Sequence, residues 1–202
     1  MRRATAIAAC IAICVAAGCS GRYADTAPEY IDDEEKEDYA VYSAGIEYVY
    51  TRNLLADNKK ELKTIVIIAQ TNELDEFWRS RFAGRLAGKD VPEELIEDWR
   101  TNNGSSMTLE RKFGLSYDYI LVTRTQLDTY KPETFFSEFY RKYPDSNGLI
   151  SVSRTGFDRS RSSSLLHVIH NYGSLGADYY FLLMEKTDKG WTVAKRISTG
   201  GS

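Results

Sequence analysis

Apolar residues between positions 34 and 55 recur every three to four places. Tyr39, Tyr42, Ile46 and Val49 form one stripe, which Asn53 interrupts at its end. That period predicts a helix over 34–55, and the acidic residues at its start suit the positive end of a helix dipole. Asp57-Asn58-Lys59-Lys60 reads as a polar turn. The block Ile65-Val66-Ile67-Ile68-Ala69 is continuous and β-branched, the mark of a strand covered on both faces. Thr71 or Asn72 is then placed to cap a helix running to Leu86, with Leu74, Phe77, Trp78, Phe82 and Leu86 as its apolar set. Pro92 opens another helix carrying Leu95, Ile96 and Trp99, and Asn102-Asn103-Gly104 closes it. Residues 104–114 read as a polar loop.

Beyond that loop, alternation over 117–124 predicts a strand. Pro132 begins a helix bearing Phe135, Phe136, Phe139 and Tyr140, which Pro144 ends. From Gly148 the period becomes two, and strands are expected at 148–157, 164–171, 178–187 and 191–197. Thr187-Asp188-Lys189-Gly190 is a hairpin signal that pairs Trp191, Val193 and Ile197 with the strand from Tyr179 to Met184. The expected class is α+β: N-terminal helices and a central strand packed on a mainly antiparallel C-terminal sheet, with the helices on one face of it. No repeat interrupts the chain, so residues 34–202 read as a single domain.

The first residues follow different rules. Arg2 and Arg3 precede an uncharged run from Ala4 to Ala17. As a helix that run spans about 21 Å at roughly 1.5 Å per residue, short of the ~30 Å bilayer core. A basic start, a short apolar run and small residues at its end describe an export signal over residues 1–18. The run closes on Ala16-Ala17-Gly18-Cys19, which resembles the lipobox of bacterial lipoproteins, with Ala16 where the family usually has Leu. The resemblance implies cleavage between Gly18 and Cys19 and attachment of diacylglyceryl and a fatty acid such as palmitate at Cys19. Ser20 follows the cysteine where Asp would retain the protein in the inner membrane, so the implied location is the outer membrane facing the periplasm. Several acyl chains hold a protein durably, at about 0.8 kcal/mol per buried methylene.

Cysteine usage agrees with that expectation. Cys10 and Cys14 lie in the leader and Cys19 at the lipidation position, so the domain that follows carries no thiol for a disulfide, a nucleophile or a metal. Loss of Arg2 and Arg3 takes the formal net charge of −3 to −5, which argues against general nucleic-acid binding. The acid concentrates between Asp25 and Asp38, where Lys36 stands alone among eight carboxylates. Residues 19–33 read as an acidic flexible tether, and a docking strip for a basic partner is the sharper alternative.

A second resemblance lies in the C-terminal third. Ser153-Arg154-Thr155-Gly156-Phe157, the hairpin strand Gly173-Ser174-Leu175-Gly176-Ala177-Asp178-Tyr179-Tyr180-Phe181-Leu182-Leu183-Met184-Glu185-Lys186 and Gly190-Trp191-Thr192-Val193 are similar to motifs of a group of exported bacterial proteins, many of them lipoproteins. Fainter similarity touches Tyr42-Ser43-Ala44, the strand from Ile65 to Ile68 and the segment from Glu138 to Pro144. That group often has two cysteines in the loop before the GYY-like strand, and residues 171–178 here have none. The group has no assigned activity, so the resemblance implies a location and no mechanism.

Candidate chemistry is sparse. His167 and His170 are the only histidines, and in a strand residues three apart face opposite sides, which does not make a metal site. Ser160, Ser162, Ser163 and Ser164 lack the Gly-x-Ser-x-Gly setting of a nucleophile, and Gly173-Ser174-Leu175-Gly176 has the wrong spacing. Glu93, Glu94, Glu97 and Asp98 read as solvated charges of one helix rather than a converging catalytic pair. No catalytic residue, metal or cofactor is therefore expected. Helix-on-sheet core packing accounts for most of the aromatics, and the sharper alternative is that Tyr172, Tyr179 and Tyr180 beside the glycine-containing loop line a groove, with Arg154, Arg159 and Arg161 adding anion donors there. The expected role is a non-enzymatic envelope module that joins the membrane through its lipid and binds a protein or glycan. A periplasmic hydrolase with a carboxylate site and an immunity or inhibitor lipoprotein remain the alternatives.

Overall fold

The computed structural model describes residues 33–56 and 62–201. The signal, Cys19 and the tether up to residue 32 therefore lie outside the described residues. Five α-helices and seven strands follow in the order α1 (Asp33–Ala56), β1 (Thr64–Ile68), α2 (Glu76–Leu86), α3 (Glu93–Asn102), β2 (Asp118–Val122), α4 (Arg124–Leu127), α5 (Phe135–Lys142), β3 (Ser146–Val152), β4 (Gly156–Phe157), β5 (Ser163–Asn171), β6 (Ala177–Thr187) and β7 (Gly190–Gly201). A short 3-10 turn at Pro132–Thr134 leads into α5. One mixed sheet runs β2-β1-β3-β5-β6-β7, with β4 paired to β5. β1 lies parallel to both β2 and β3, and the remaining pairs are antiparallel. The protein is an α+β domain.

β1 is buried along Ile65, Val66, Ile67 and Ile68, as its unbroken apolar run requires. Its odd residues face α1 and its even residues face α5. The same alternation continues in the antiparallel half. Leu166, Val168, Tyr180 and Leu182 pack under α1, whereas Leu165 and Phe181 pack under α2 and α3. Helices therefore cover both faces, not the one face expected, because β5 and β6 are apolar at consecutive positions and neither face can be left to water.

α1 crosses the sheet with Tyr39, Tyr42, Ile46, Val49, Tyr50 and Leu54 buried beneath it. Gly45 allows the close approach, since a Cβ there would stand 2.6 Å from a Leu166 methyl. Asn53, which breaks the apolar stripe, is also buried and reaches the His170 ring. The first turns of α1 are tied down by later segments. Lys112 pairs with Glu35 at 2.9 Å, and Lys186 pairs with Glu37 at 2.7 Å. Burial would push the Glu37 carboxyl up, but hydrogen bonds from Lys186 and Trp191 more than offset it and hold the group below its ordinary value. The described part of the acidic segment is thus engaged with its own domain. Exposed pairs of this kind contribute about 0–1 kcal/mol, against about 1.5–3 kcal/mol for each large apolar side chain under the helix. The stripe holds α1 on the sheet and the ion pairs fix where it starts.

α2 begins at Glu76 with Asp75 as its cap, three to four residues later than the sequence pattern implies. Thr71 and Asn72 are spent elsewhere. The Thr71 hydroxyl accepts from Met107 N at 2.8 Å, and Asn72 N donates to Val152 O at 2.8 Å. The polar loop over 104–114 sends Leu109 and Phe113 into the core under α1.

Candidate ligand-binding cleft

The segment after β2 reverses the chain through a capping box. Thr123 Oγ1 accepts from Gln126 N at 3.2 Å, while Gln126 Oε1 accepts from Thr123 N at 2.9 Å. One turn, α4, follows and buries Leu127. Tyr130 N then donates to Leu127 O, and Pro132 opens the turn that delivers α5. Phe139 is fully buried against Val66, Val122 and Leu149, but one helix face cannot also bury Phe135 and Phe136, which stay half-buried. Tyr130, Phe135 and Phe136 meet edge to face, with centroids 5.6 and 5.1 Å apart.

Across from these rings lies the turn at 172–176. Tyr172 N and Gly173 N both donate to Gly176 O, at 2.9 and 3.1 Å. Gly176 is required there, because a Cβ would stand 2.5 Å from the Tyr172 ring. The Tyr140 hydroxyl donates to Tyr172 O at 2.8 Å and pins the turn to α5. Between turn and rings opens a cleft of about 520 Å³, lined by Leu127, Asp128, Tyr130, Pro132, Phe135, Phe136 and Ser174. Half-buried rings offer apolar faces, the exposed Asp128 carboxylate offers an acceptor, and the Ser174 hydroxyl offers either role. A ring with C–H faces and hydroxyl edges, such as a sugar, matches that combination.

The structure separates the other expected groove residues. Tyr172 stands at the cleft margin with its ring 5.3 Å from His170. Tyr179 is half-buried on β6, and its neighbour Tyr180 points to the opposite face, into the core under α1. The Tyr180 hydroxyl is pushed up to about 12, first by burial and then by Asp178, while Arg196 lies 4.8 Å over its ring. Arg154 sits between β3 and β4, its backbone held by Asn103 at both N–H and C=O. Arg159 is exposed in the turn before β5. The nine residues of β5 stand between Arg159 and Tyr172, about 26 Å at 3.3 Å per residue. Arg154, Arg159 and Arg161 therefore do not join the tyrosines in one groove. Arg161 instead lies 3.8 Å over the Phe157 ring and reaches Glu34 O at the start of α1.

Among the remaining polar candidates, the Ser164 hydroxyl is buried without a hydrogen bond, whereas Ser160, Ser162, Glu97, Asp98 and His170 have structural partners. The Ser160 and Ser162 hydroxyls bond the Asp158 carboxylate, which also accepts from Ser162 N and Ser163 N. On α3, Asp98 accepts from Phe157 N at 2.7 Å and Glu97 pairs with Arg100. His170 is bonded through Nε2 to Asn147 O, so that nitrogen carries the proton and Nδ1 accepts from Asn53. His167 faces the other side of the sheet. Phe82, Trp99 and Phe181 surround it, and both ring nitrogens are buried without a hydrogen bond. Burial pushes its imidazole down to about 3. No group of three His, Cys, Asp or Glu among the described residues is placed to hold a metal. No helix among them is long and apolar enough to cross a membrane.

The chain matches no protein-family model, no curated protein and no solved structure in these comparisons.

Proposed function

We propose that this protein is a lipid-anchored binding module of the bacterial cell envelope, outer-membrane-bound and facing the periplasm, which holds a sugar of an envelope glycan without transforming it. The observation that carries the reading is the open cleft in which Tyr130, Phe135 and Phe136 stand beside Asp128 and Ser174. The lipobox-like Ala16-Ala17-Gly18-Cys19 supports the anchor, and Ser20 supports the outer membrane. The reading as a holder rather than a catalyst draws on the engagement of Ser160, Ser162 and His170 in local hydrogen bonds.

Two measurements test it. Intact mass of protein from its native host should show a chain starting at Cys19 with added acyl mass. Titration of that protein in detergent with soluble peptidoglycan fragments, followed by calorimetry, should show binding. Phe136→Ala and Tyr130→Ala should each weaken it about tenfold, the scale of one lost aromatic contact. Binding that survives both substitutions unchanged, or that never appears, removes the cleft from the account.

A further inference from the structure

α2 carries an exposed feature that the cleft does not use. Phe77 is 62% and Trp78 44% exposed, the largest exposures of any aromatic side chains on this helix. Their rings meet edge to face at 5.4 Å. Phe77, Arg81 and Arg85 are spaced by four residues and share one line along the helix. Arg81 lies over the Trp78 ring at 5.7 Å and Arg85 over Phe82 at 5.9 Å. Lys89 follows, exposed. Of the nearby carboxylates, Glu76 is held by Arg79 and Arg100, Asp90 by Lys195, and Asp75 caps the helix. Glu73 is exposed before the cap. Leu86 and the half-buried Phe82 and Ala83 face inward against the sheet cluster, so the aromatic pair is left outside the core.

We infer that this face is a second membrane contact, docking Phe77 and Trp78 into the headgroup region of an anionic bilayer while Arg81 and Arg85 meet lipid phosphates. The inference rests on the lipid-anchor reading. Thirteen residues, Ser20 to Asp32, separate Cys19 from α1. Even fully extended they span about 45 Å, so a bilayer is always within reach of the domain. An attached surface has a high effective concentration, and a weak contact then suffices to orient the domain on it. Indole rings favour the interface because one edge is apolar and the N–H remains hydrated. The arginines supply the matching charge.

Fluorescence tests this site selectively, because Trp78 is the exposed one of three tryptophans; Trp99 and Trp191 are buried. The full lipidated chain, checked by intact mass, is reconstituted in vesicles of phosphatidylethanolamine and phosphatidylglycerol, with and without brominated acyl chains. Bromine should quench the Trp78 emission, and Trp78→Phe should abolish the quenched component. Arg81→Gln and Arg85→Gln should each lower the docked-to-undocked ratio about fivefold. Quenching equal in the wild type and Trp78→Phe, on protein of the correct lipidated mass, overturns the docking and leaves the anchor standing. A mass without added hydrocarbon overturns the anchor instead. The same chain added freely to those vesicles then decides the docking by the same Trp78 criterion. A protein occupant of this face would leave Trp78 unquenched and so overturn the inference.

Discussion

Acidification should weaken this fold in part through one buried imidazole, His167. His167 is neutral in the folded protein, packed 4.6 Å from the Phe181 ring and without a hydrogen bond to either nitrogen. Its folded value is about 3, against 6.5 for the free side chain. With the folded value depressed, the unfolded chain binds the proton more readily. Stability is therefore intact above pH 6.5 and falls as pH drops from 6.5 toward 3. At pH 5 the unfolded state has gained about 1.5 pH units of protonation, or about 2 kcal/mol. A typical domain is stable by about 5–15 kcal/mol, so the loss is readily measured. His167→Phe removes the titration and keeps a flat ring in the aromatic box, at an overpacking cost of about 1–3 kcal/mol that does not depend on pH. Urea unfolding of both proteins from pH 7.5 to 5 should give converging curves, the wild type losing about 2 kcal/mol more than the variant. Contributions from the carboxylates cancel in that difference. Parallel curves, separated by a constant offset across the range, would falsify the reasoning.

Two further substitutions probe the polar groups beside that box and at the start of α1. Ser153 Oγ accepts from Trp99 Nε1 at 2.9 Å and His167 N at 3.0 Å. Ser153→Ala strands both buried donors and should cost about 2–4 kcal/mol in urea unfolding; a loss below about 1 kcal/mol would mean the donors find other partners. Asp38 is raised above its ordinary 3.8, first by burial and against the pull of the Thr155 hydroxyl and Arg161. Stability from a raised carboxyl is full below pH 3.8 and is lost as pH rises through the folded value. Asp38→Asn should therefore melt higher than wild type at pH 7, and the gain should shrink as pH falls toward 4. A gain that grows on acidification contradicts this sign.

Local pattern carried much of this fold. The spacing of Tyr39, Tyr42, Ile46 and Val49 marked α1, and the unbroken Ile65 to Ile68 run marked a strand inside the sheet, because both signals depend only on which faces are buried. The hairpin of β6 and β7 was equally local, with Thr187 opposite Gly190. What escaped depended on distant partners. Thr71 and Asn72 look like helix caps until Met107 and Val152 claim them. Phe77 and Trp78 look like core residues until the sheet face is filled by Phe82, Leu86 and Trp99. The grouping of Arg159 with Tyr172 failed because β5 runs between them. The cleft left a legible trace, since Phe135, Phe136, Phe139 and Tyr140 are more aromatics than one helical stripe can bury, but its opposite wall at Ser174 came from another part of the chain.

The ties at both ends of α1 also set the order in which the molecule can be completed. Glu37 waits for Trp191, 154 positions later, and Asn53 waits for His170, 117 positions later. A chain emerging from its N-terminus makes its longest helix first and the strands that receive it last. Contacts this remote in sequence close slowly. Until the final hairpin arrives, α1 lacks the part of its floor that Tyr180, Leu182, Met184 and Trp191 supply.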